Sequence, residues 1–153
     1  MLPRFLVIFA LLLATPALAQ DPGLVTLRSP HSVRETLDRF AQAVRAQGMV
    51  VFTEIDHAAA ARAAGLSLLP RTVLLFGNPA AGSPAMQERP TLALDLPMRV
   101  LVWQDVTGAV FITRSTGADL ALRLYARHGL NLPAEAAANT EAWLDQLAHS
   151  AAQ

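Results

Sequence analysis

The residues of this chain whose types could support chemistry gather around one histidine. His57 follows Asp56 directly, and Glu54 lies on the same predicted strand, where that strand gives way to a helix. Asp95 and Arg99 add a carboxylate and a guanidinium from a later segment. Imidazole nitrogen and carboxylate oxygen are ligands for divalent metals, and together with arginine they also suit a small polar ligand. We therefore expect a ligand or metal site in which His57 and Asp95 meet.

Two other interpretations of His57 and Asp95 stay open. As acid and base, the pair would fit a hydrolase or an isomerase. In a purely structural interpretation, His57 begins a short helix and Asp95 accepts hydrogen bonds from amides of an irregular segment. The chain has no HxH or HExxH spacing, no Gly-x-Ser-x-Gly turn and no cysteine nucleophile. The sequence therefore assigns neither catalytic residues nor a cofactor.

The stretch "VLLFGNPAAGSP", residues 73–84, joins an apolar run to glycine, asparagine and proline. A phosphate cradle needs successive backbone amides, but Pro79 and Pro84 lack the N–H, and no Gly-Lys-Ser/Thr follows. We predict instead a loop in which Gly77 bends the chain and the Asn78 side chain ties the turn. Asn78 then joins His57 and Asp95 as a candidate ligand-binding residue.

The first half of the chain alternates strands with helices. Residues 23–30 predict a strand, and Ser32 with Glu35 has the spacing of a capping box that opens an amphipathic helix ending at Gly48. A second strand spans 49–56, and Asp56 caps a short alanine-rich helix over 57–64. The apolar strand at 71–77 is predicted to be buried on both faces.

The second half predicts a hairpin followed by helices. Strands over 98–105 and 109–115 flank a turn at Thr107 and Gly108, after a possible helical turn at "PAMQER". Asp119 is expected to cap a helix that ends at Gly129, and a short helix over 140–153 closes the chain. These elements predict an α+β fold, a single domain whose antiparallel sheet is packed by helices on one face.

Both faces of the predicted hairpin are largely apolar. Leu101 and Trp103 lie on one face, and Val100 and Val102 lie on the other. Helices cover one face, so the second needs a cover of its own. We therefore expect a homodimer in which a partner subunit provides it.

The N-terminal residues and the charge balance limit the compartment and the partners that we expect. Residues 1–19 read as a signal peptide, because the apolar run is shorter than a membrane span and small residues at Ala17 and Ala19 predict cleavage after Ala19. We expect a periplasmic protein with no membrane span in its mature form. Twelve arginines, with no lysine, balance twelve acids, which argues against nucleic acid as a partner. The domain organisation expected is 1–19 signal peptide, 20–130 α+β domain and 131–153 C-terminal extension with a short helix.

Three motifs together resemble the bacterial and archaeal domain-of-unknown-function family 302. They are the "DHAAAARAAGL" helix, the Phe-Gly-Asn-Pro loop at 76–79 and the Asp-Leu-Pro segment at 95–97, within a match from Val25 to His128. The resemblance implies an antiparallel α+β domain and a homodimer, and it implies no reaction. A tyrosine expected on the last hairpin strand is replaced here by Thr113 and Arg114.

The leading hypothesis is therefore an exported, non-enzymatic homodimer that binds a small ligand or a metal near His57, Asn78 and Asp95, with Arg99 and Glu54 beside them. The alternatives are a hydrolase or isomerase that uses His57 and Asp95, and a structural partner of a periplasmic complex.

Overall fold

The computed structural model describes residues 23–153, so the expected signal peptide and its cleavage point after Ala19 lie outside the described residues. The strands are β1 (Leu24–Ser29), β2 (Val50–Asp56), β3 (Arg71–Gly77), β4 (Met98–Gln104) and β5 (Val110–Ser115). The α-helices are α1 (Val33–Ala46), α2 (His57–Ala63), α3 (Pro79–Glu88), α4 (Gly117–Leu120) and α5 (Ala134–Ala152). A 3₁₀ turn, Pro90–Leu94, precedes β4, and α4 continues through a π turn, Ala121–Tyr125, into a 3₁₀ turn, Ala126–His128.

The five strands form one sheet in the order β1-β5-β4-β3-β2, and every neighbouring pair is antiparallel. This confirms the predicted α+β fold with its antiparallel sheet. The predicted hairpin is present as β4 and β5, whose register pairs Val102 with Ile112. Asp105 fixes the turn, because its Oδ1 accepts hydrogen bonds from the Thr107 and Ala109 amides.

The core lies between the sheet and the helices α1 and α5. Phe40 of α1 meets Phe76 of β3 edge to face, with ring centroids 5.3 Å apart, and both rings are buried. Val100 and Ile112 from the sheet and Leu144 from α5 belong to the same buried cluster. Burying each such side chain stabilises the fold by about 1.5–3 kcal/mol, so this layer is the main source of stability.

The opposite face of the sheet is only partly covered. Along β3, buried residues alternate with half-buried ones, so the prediction that this strand is buried on both faces is wrong. The face that carries Val73 also carries Ile55, which is 43% exposed, and Leu101. Trp103 and Phe111 stack on it with centroids 4.8 Å apart. Within residues 23–153, α1 and α5 pack against the other face, which leaves this one, the open face, without a helical layer.

Local capping signals explain most helix boundaries. Ser32 Oγ accepts a hydrogen bond from the Glu35 amide, and Asp56 Oδ1 accepts one from the Ala59 amide, as predicted. Gly48 takes the left-handed conformation, with a φ of 71°, after α1. For α4, the predicted cap at Asp119 is wrong, because Thr116 Oγ1 accepts the hydrogen bond from the Asp119 amide.

Two helices are longer than predicted. The loop expected after Gly77 is helix α3, which begins at Pro79, because Asn78 Oδ1 accepts a hydrogen bond from the Ala80 amide and Pro79 needs no N–H at the first helical position. Helix α5 begins at Ala134 and runs for 19 residues, since its alanine-rich start extends the predicted terminal helix. Among the helices of residues 23–153, none combines the length and the apolar character that a membrane span requires.

Candidate functional site

The strand pairing separates His57 from Asp95. Helix α2 starts beside Thr72, at the beginning of β3, whereas Asp95 precedes Met98, which pairs with Phe76 near the end of β3. Thr72 and Phe76 are four steps of about 3.3 Å apart, or roughly 13 Å along the strand. The expectation that His57 and Asp95 meet is therefore wrong, because β3 carries the chain from one end of the sheet to the other. The metal and acid–base hypotheses that paired them have no geometric basis.

The carboxylate of Glu54 pairs with an arginine of α1. Both of its carboxylate oxygens accept hydrogen bonds from Arg34 of α1, at 2.7 and 3.0 Å. Hydrogen bonds with Glu54 and then Asp38 raise the pKa of Arg34. His57 itself is exposed. Among the His, Asp and Glu side chains of residues 23–153, no group of three comes together to hold a metal ion.

Asn78 and Asp95 do lie at the same end of the sheet. Asn78 lines a pocket with Leu96 and Pro97, the two residues that follow Asp95. Its side-chain oxygen is used as the cap of α3. The structure therefore brings Asn78 to the neighbourhood of Asp95, in a structural role.

Asp95 is the centre of a polar cluster that the sequence did not reveal. Its Oδ2 lies 2.7 Å from His128 Nε2, and both of its oxygens accept hydrogen bonds from Arg127 Nη1. The hydrogen bond from His128, and then the charges of Arg127 and Arg99, lower the pKa of Asp95 against the desolvation that would raise it. The His128 side chain is buried, and its Nδ1 lies 2.9 Å from Thr91 Oγ1.

The irregular segment after α4 positions these basic groups. The π turn and the 3₁₀ turn that follow α4 carry Arg123, Arg127 and His128, and the segment ends at Gly129, which has a φ of 71°. Arg123 is held by Asp119, whose Oδ1 accepts a hydrogen bond from its Nε at 2.8 Å. The segment therefore places two guanidinium groups at the edge of the open face.

Arg99 completes this edge from β4, and together these groups frame a cleft of about 340 Å³. We call it the arginine cleft, and its rim is Arg99, Arg123, Arg127 and Asp95. Its floor and walls are mainly apolar or uncharged, and they include Leu24, Val73, Leu101, Thr113, Leu120 and Leu124.

The rim carries an excess of positive charge. Its three guanidinium groups face two carboxylates, Asp95 and Asp119. Arg99 is exposed, and its contact with the Asp95 segment is a 3.5 Å hydrogen bond to the backbone oxygen of Asp95. Within residues 23–153, Arg99 forms no ion pair with a carboxylate. A guanidinium beside an apolar floor suits an anion that has an apolar body.

Arg114 lines the same cleft, but its guanidinium forms ion pairs with carboxylates of helix α5. Its Nη2 lies 2.8 Å from Glu141 Oε1 and 3.1 Å from Asp145 Oδ1, and its side chain is buried. Burial alone would raise the pKa of Glu141, but hydrogen bonds from Arg114 and from the Gly117 amide outweigh it and lower that pKa. Arg114 therefore holds the sheet against α5, and the free positive charge belongs to the rim.

Comparison with known proteins gives a family and several relatives. Residues 25–147 match the sequence profile described as "Domain of unknown function DUF302". The fluoride-specific ion channel FluC 1 of Brucella suis biovar 1 (strain 1330) is 46% identical over 117 residues, which cover 76% of this chain and 44% of that protein. FluC 1 of Brucella abortus biovar 1 (strain 9-941) is also 46% identical over 117 residues, covering 76% of this chain and 42% of the relative. The chain thus spans less than half the length of these relatives.

A solved structure shares the fold. The crystal structure of an uncharacterized conserved DUF302 protein from Bacillus stearothermophilus superposes with a TM-score of 0.67 and 18% sequence identity. The match covers 84% of this chain and 97% of the other. At this identity the likeness concerns the fold alone.

Proposed function

The chain belongs to the DUF302 family, and we propose that it is a non-enzymatic module that binds a small organic anion in the arginine cleft. The observation that carries the proposal is Arg99, an exposed guanidinium without a carboxylate partner in the described chain, beside the apolar residues Val73 and Leu101. The guanidinium binds the charged group of the ligand, and the apolar floor binds its body.

The Asp95 cluster supports this role by preorganising the rim. Arg127 is fixed by two hydrogen bonds to Asp95, which is itself fixed by the buried His128. A side chain that is already held in place loses less conformational entropy when a ligand binds. Arg127 is therefore held in position to donate a second hydrogen bond to the ligand, while Arg99 is the cation free to pair with it.

A fluorescence titration with 8-anilinonaphthalene-1-sulfonate, an anion with an apolar body, tests the proposal. We expect one site per chain, and Arg99→Gln should weaken binding roughly tenfold, the effect of losing a charged hydrogen bond. Arg62→Gln, which removes an exposed arginine from α2, serves as the matched control and should leave the affinity unchanged. Raising NaCl from about 50 to about 500 mM should weaken binding to the unmodified protein, because the rim is exposed to screening. Equal affinity of Arg99→Gln and Arg62→Gln for the dye would refute the proposal.

We also propose that the chain forms a homodimer through the open face. The supporting observation is the partly exposed apolar surface of that face, where Ile55 of the edge strand β2 is 43% exposed and Trp103 stacks on Phe111. Size-exclusion chromatography with light scattering should give a dimer at micromolar concentration, and Leu101→Glu should give a monomer. An unmodified protein that is monomeric in the same experiment would contradict this arrangement.

Export to the periplasm remains part of the proposal. It rests on the residue pattern of 1–19, with small residues at Ala17 and Ala19. Mass spectrometry of the protein expressed from its full coding sequence should show a mature chain beginning at Gln20. A retained Met1 in the fractionated periplasm would contradict cleavage.

A second candidate function is partnership with a membrane protein that conducts fluoride. It is favoured by the 46% identity with a segment of proteins named fluoride-specific ion channels. The matched segment covers only 44% and 42% of those relatives, so we place this domain beside the part of such a protein that conducts fluoride. Deleting the gene should increase growth inhibition by fluoride, and the unmodified gene should restore growth. Unchanged inhibition in the deletion strain would exclude this role.

A further inference from the structure

A second cavity, of about 300 Å³, lies beneath helix α3. We call it the α3 pocket. It shares the lining residues Met98 and Leu124 with the arginine cleft, so the two cavities are neighbours. Its other lining residues come from the start of β2, the end of β3, helix α3, the segment before β4 and the π turn after α4.

Helix α3 leaves this space open because its inner face is built from small residues. Ala81, Gly82 and Ala85 line the pocket, and no residue of α3 is buried. A Cβ added at Gly82 would lie 3.6 Å from Leu96 and 3.8 Å from Met86, which is ordinary contact distance. A surface helix normally buries an apolar stripe against the core. Here the corresponding stripe faces a cavity.

The remaining walls are apolar and adaptable. The register of β2 shifts between Val51 and Thr53, and this irregularity puts Phe52 at the pocket rim, 52% exposed. All three methionines of residues 23–153, Met49, Met86 and Met98, line the pocket. Unbranched thioether side chains adjust their shape to different apolar ligands.

The lining determines the chemistry of the occupant. Among the described residues that line the pocket, none carries a charged side chain. A charged ligand would lose hydration without gaining a counter-charge, which is unfavourable. Asn78 and Tyr125 supply the side-chain hydrogen-bonding groups, one amide and one hydroxyl. The volume is at the lower end of the range of about 300–1,000 Å³ found for small-molecule sites.

We propose that the α3 pocket is a binding site for an uncharged, mainly apolar small molecule that carries one or two hydrogen-bonding groups. This site is distinct from the arginine cleft and selects against the anions that the cleft prefers. The two sites share Met98 and Leu124, but only the arginine cleft is lined by charged side chains, so each has its own ligand class.

Fluorescence titration with N-phenyl-1-naphthylamine, an uncharged apolar dye with one N–H, tests this site on the full chain. Ala85→Phe fills the pocket from α3 and should weaken dye binding roughly tenfold or more. Ala80→Phe makes the same change on the same helix at a position outside the lining, and it should leave dye binding unchanged. Gly82→Leu fills the pocket independently and should reproduce the loss seen with Ala85→Phe.

Two controls show whether the Ala85→Phe protein is folded. It should still bind 8-anilinonaphthalene-1-sulfonate, and its circular dichroism spectrum should be unchanged. Dye binding also separates the two sites, since Arg99→Gln should not alter binding of the uncharged dye. The proposal is overturned if Ala85→Phe and Gly82→Leu bind the dye like the unmodified protein, or if Ala80→Phe loses it equally. A one-to-one silver(I) adduct in native mass spectrometry, abolished by Met86→Leu and displacing the dye, would instead identify a thioether metal site.

Discussion

His128 Nε2 lies 2.7 Å from Asp95 Oδ2, and this contact joins two segments that are 33 residues apart in the chain. An ionised carboxylate only accepts hydrogen bonds, so His128 Nε2 donates. The other ring nitrogen lies 2.9 Å from Thr91 Oγ1. The buried imidazole thereby connects the 3₁₀ turn before β4 to the segment that carries Arg127, and the rim of the arginine cleft depends on this connection.

The lowered pKa of Asp95 predicts a loss of stability in acid. Its folded-state pKa lies below the ordinary value of about 3.9, so its contribution is complete above that value and is lost as pH falls through the folded pKa. The melting temperatures of the unmodified protein and of Asp95→Asn should therefore differ most at neutral pH. The difference between their melting temperatures should shrink as the pH is lowered from about 7 to about 2. A difference that does not vary with pH would contradict the role of the ionised carboxylate.

Arg114 predicts a contrast between buried and exposed arginines. Its side chain is 3% exposed and contacts Glu141 and Asp145, whereas Arg123 is 65% exposed and contacts Asp119. Arg114→Gln should lower the free energy of unfolding by about 2 kcal/mol, less than a fully buried ion pair costs, because both carboxylates are partly hydrated. Arg123→Gln should cost at most about 1 kcal/mol. Urea unfolding of both variants checks the ranking, and equal losses would contradict it.

Local signals predicted much of the fold from the sequence. Ser32 and Gly48 bound α1, Asp56 opens α2, and Gly108 turns the β4–β5 hairpin, because each acts through a few neighbouring residues. The start of α3 carried such a signal too. Asn78 followed by Pro79 is a helix cap with proline at the first helical position, and the glycine and second proline that follow obscured it.

The candidate site depends on distant residues, and the sequence predicted it only in part. Asp95 and Arg99 do lie together in the arginine cleft. His128 was not identified, because a π turn and a 3₁₀ turn after α4 bring it to Asp95, and such irregular turns follow tertiary contacts more than local preference. His57 was misplaced, since the direction of β3 determines which end of the sheet it occupies.

Asn78 and His57 should differ sharply in their contribution to stability. Asn78→Ala removes the hydrogen bond that caps α3 and should cost about 1 kcal/mol, whereas Asn78→Asp keeps an acceptor and should cost little. His57→Ala changes an exposed side chain and should alter the free energy of unfolding by no more than about 0.5 kcal/mol. Chemical unfolding of the three variants measures these differences, and a large loss of stability in His57→Ala would contradict the expected ranking.

Gly117 should be the least replaceable glycine of the described chain, for reasons of space and not of backbone conformation. A Cβ at Gly117 would lie 2.2 Å from the Ala137 carbonyl oxygen and 2.9 Å from the Glu141 amide nitrogen, both of which are backbone atoms of α5. Neither atom can move without shifting the helix, so Gly117→Ala should lower the free energy of unfolding by about 3 kcal/mol. Gly82→Ala is the matched control, because its Cβ meets only side chains at 3.6 Å or more and it lies inside α3, where alanine favours the helix by up to about 1 kcal/mol. The melting temperature and the urea midpoint should therefore fall in Gly117→Ala and rise in Gly82→Ala. A Gly117→Ala protein as stable as the unmodified one would show that α4 and α5 are not in this close contact.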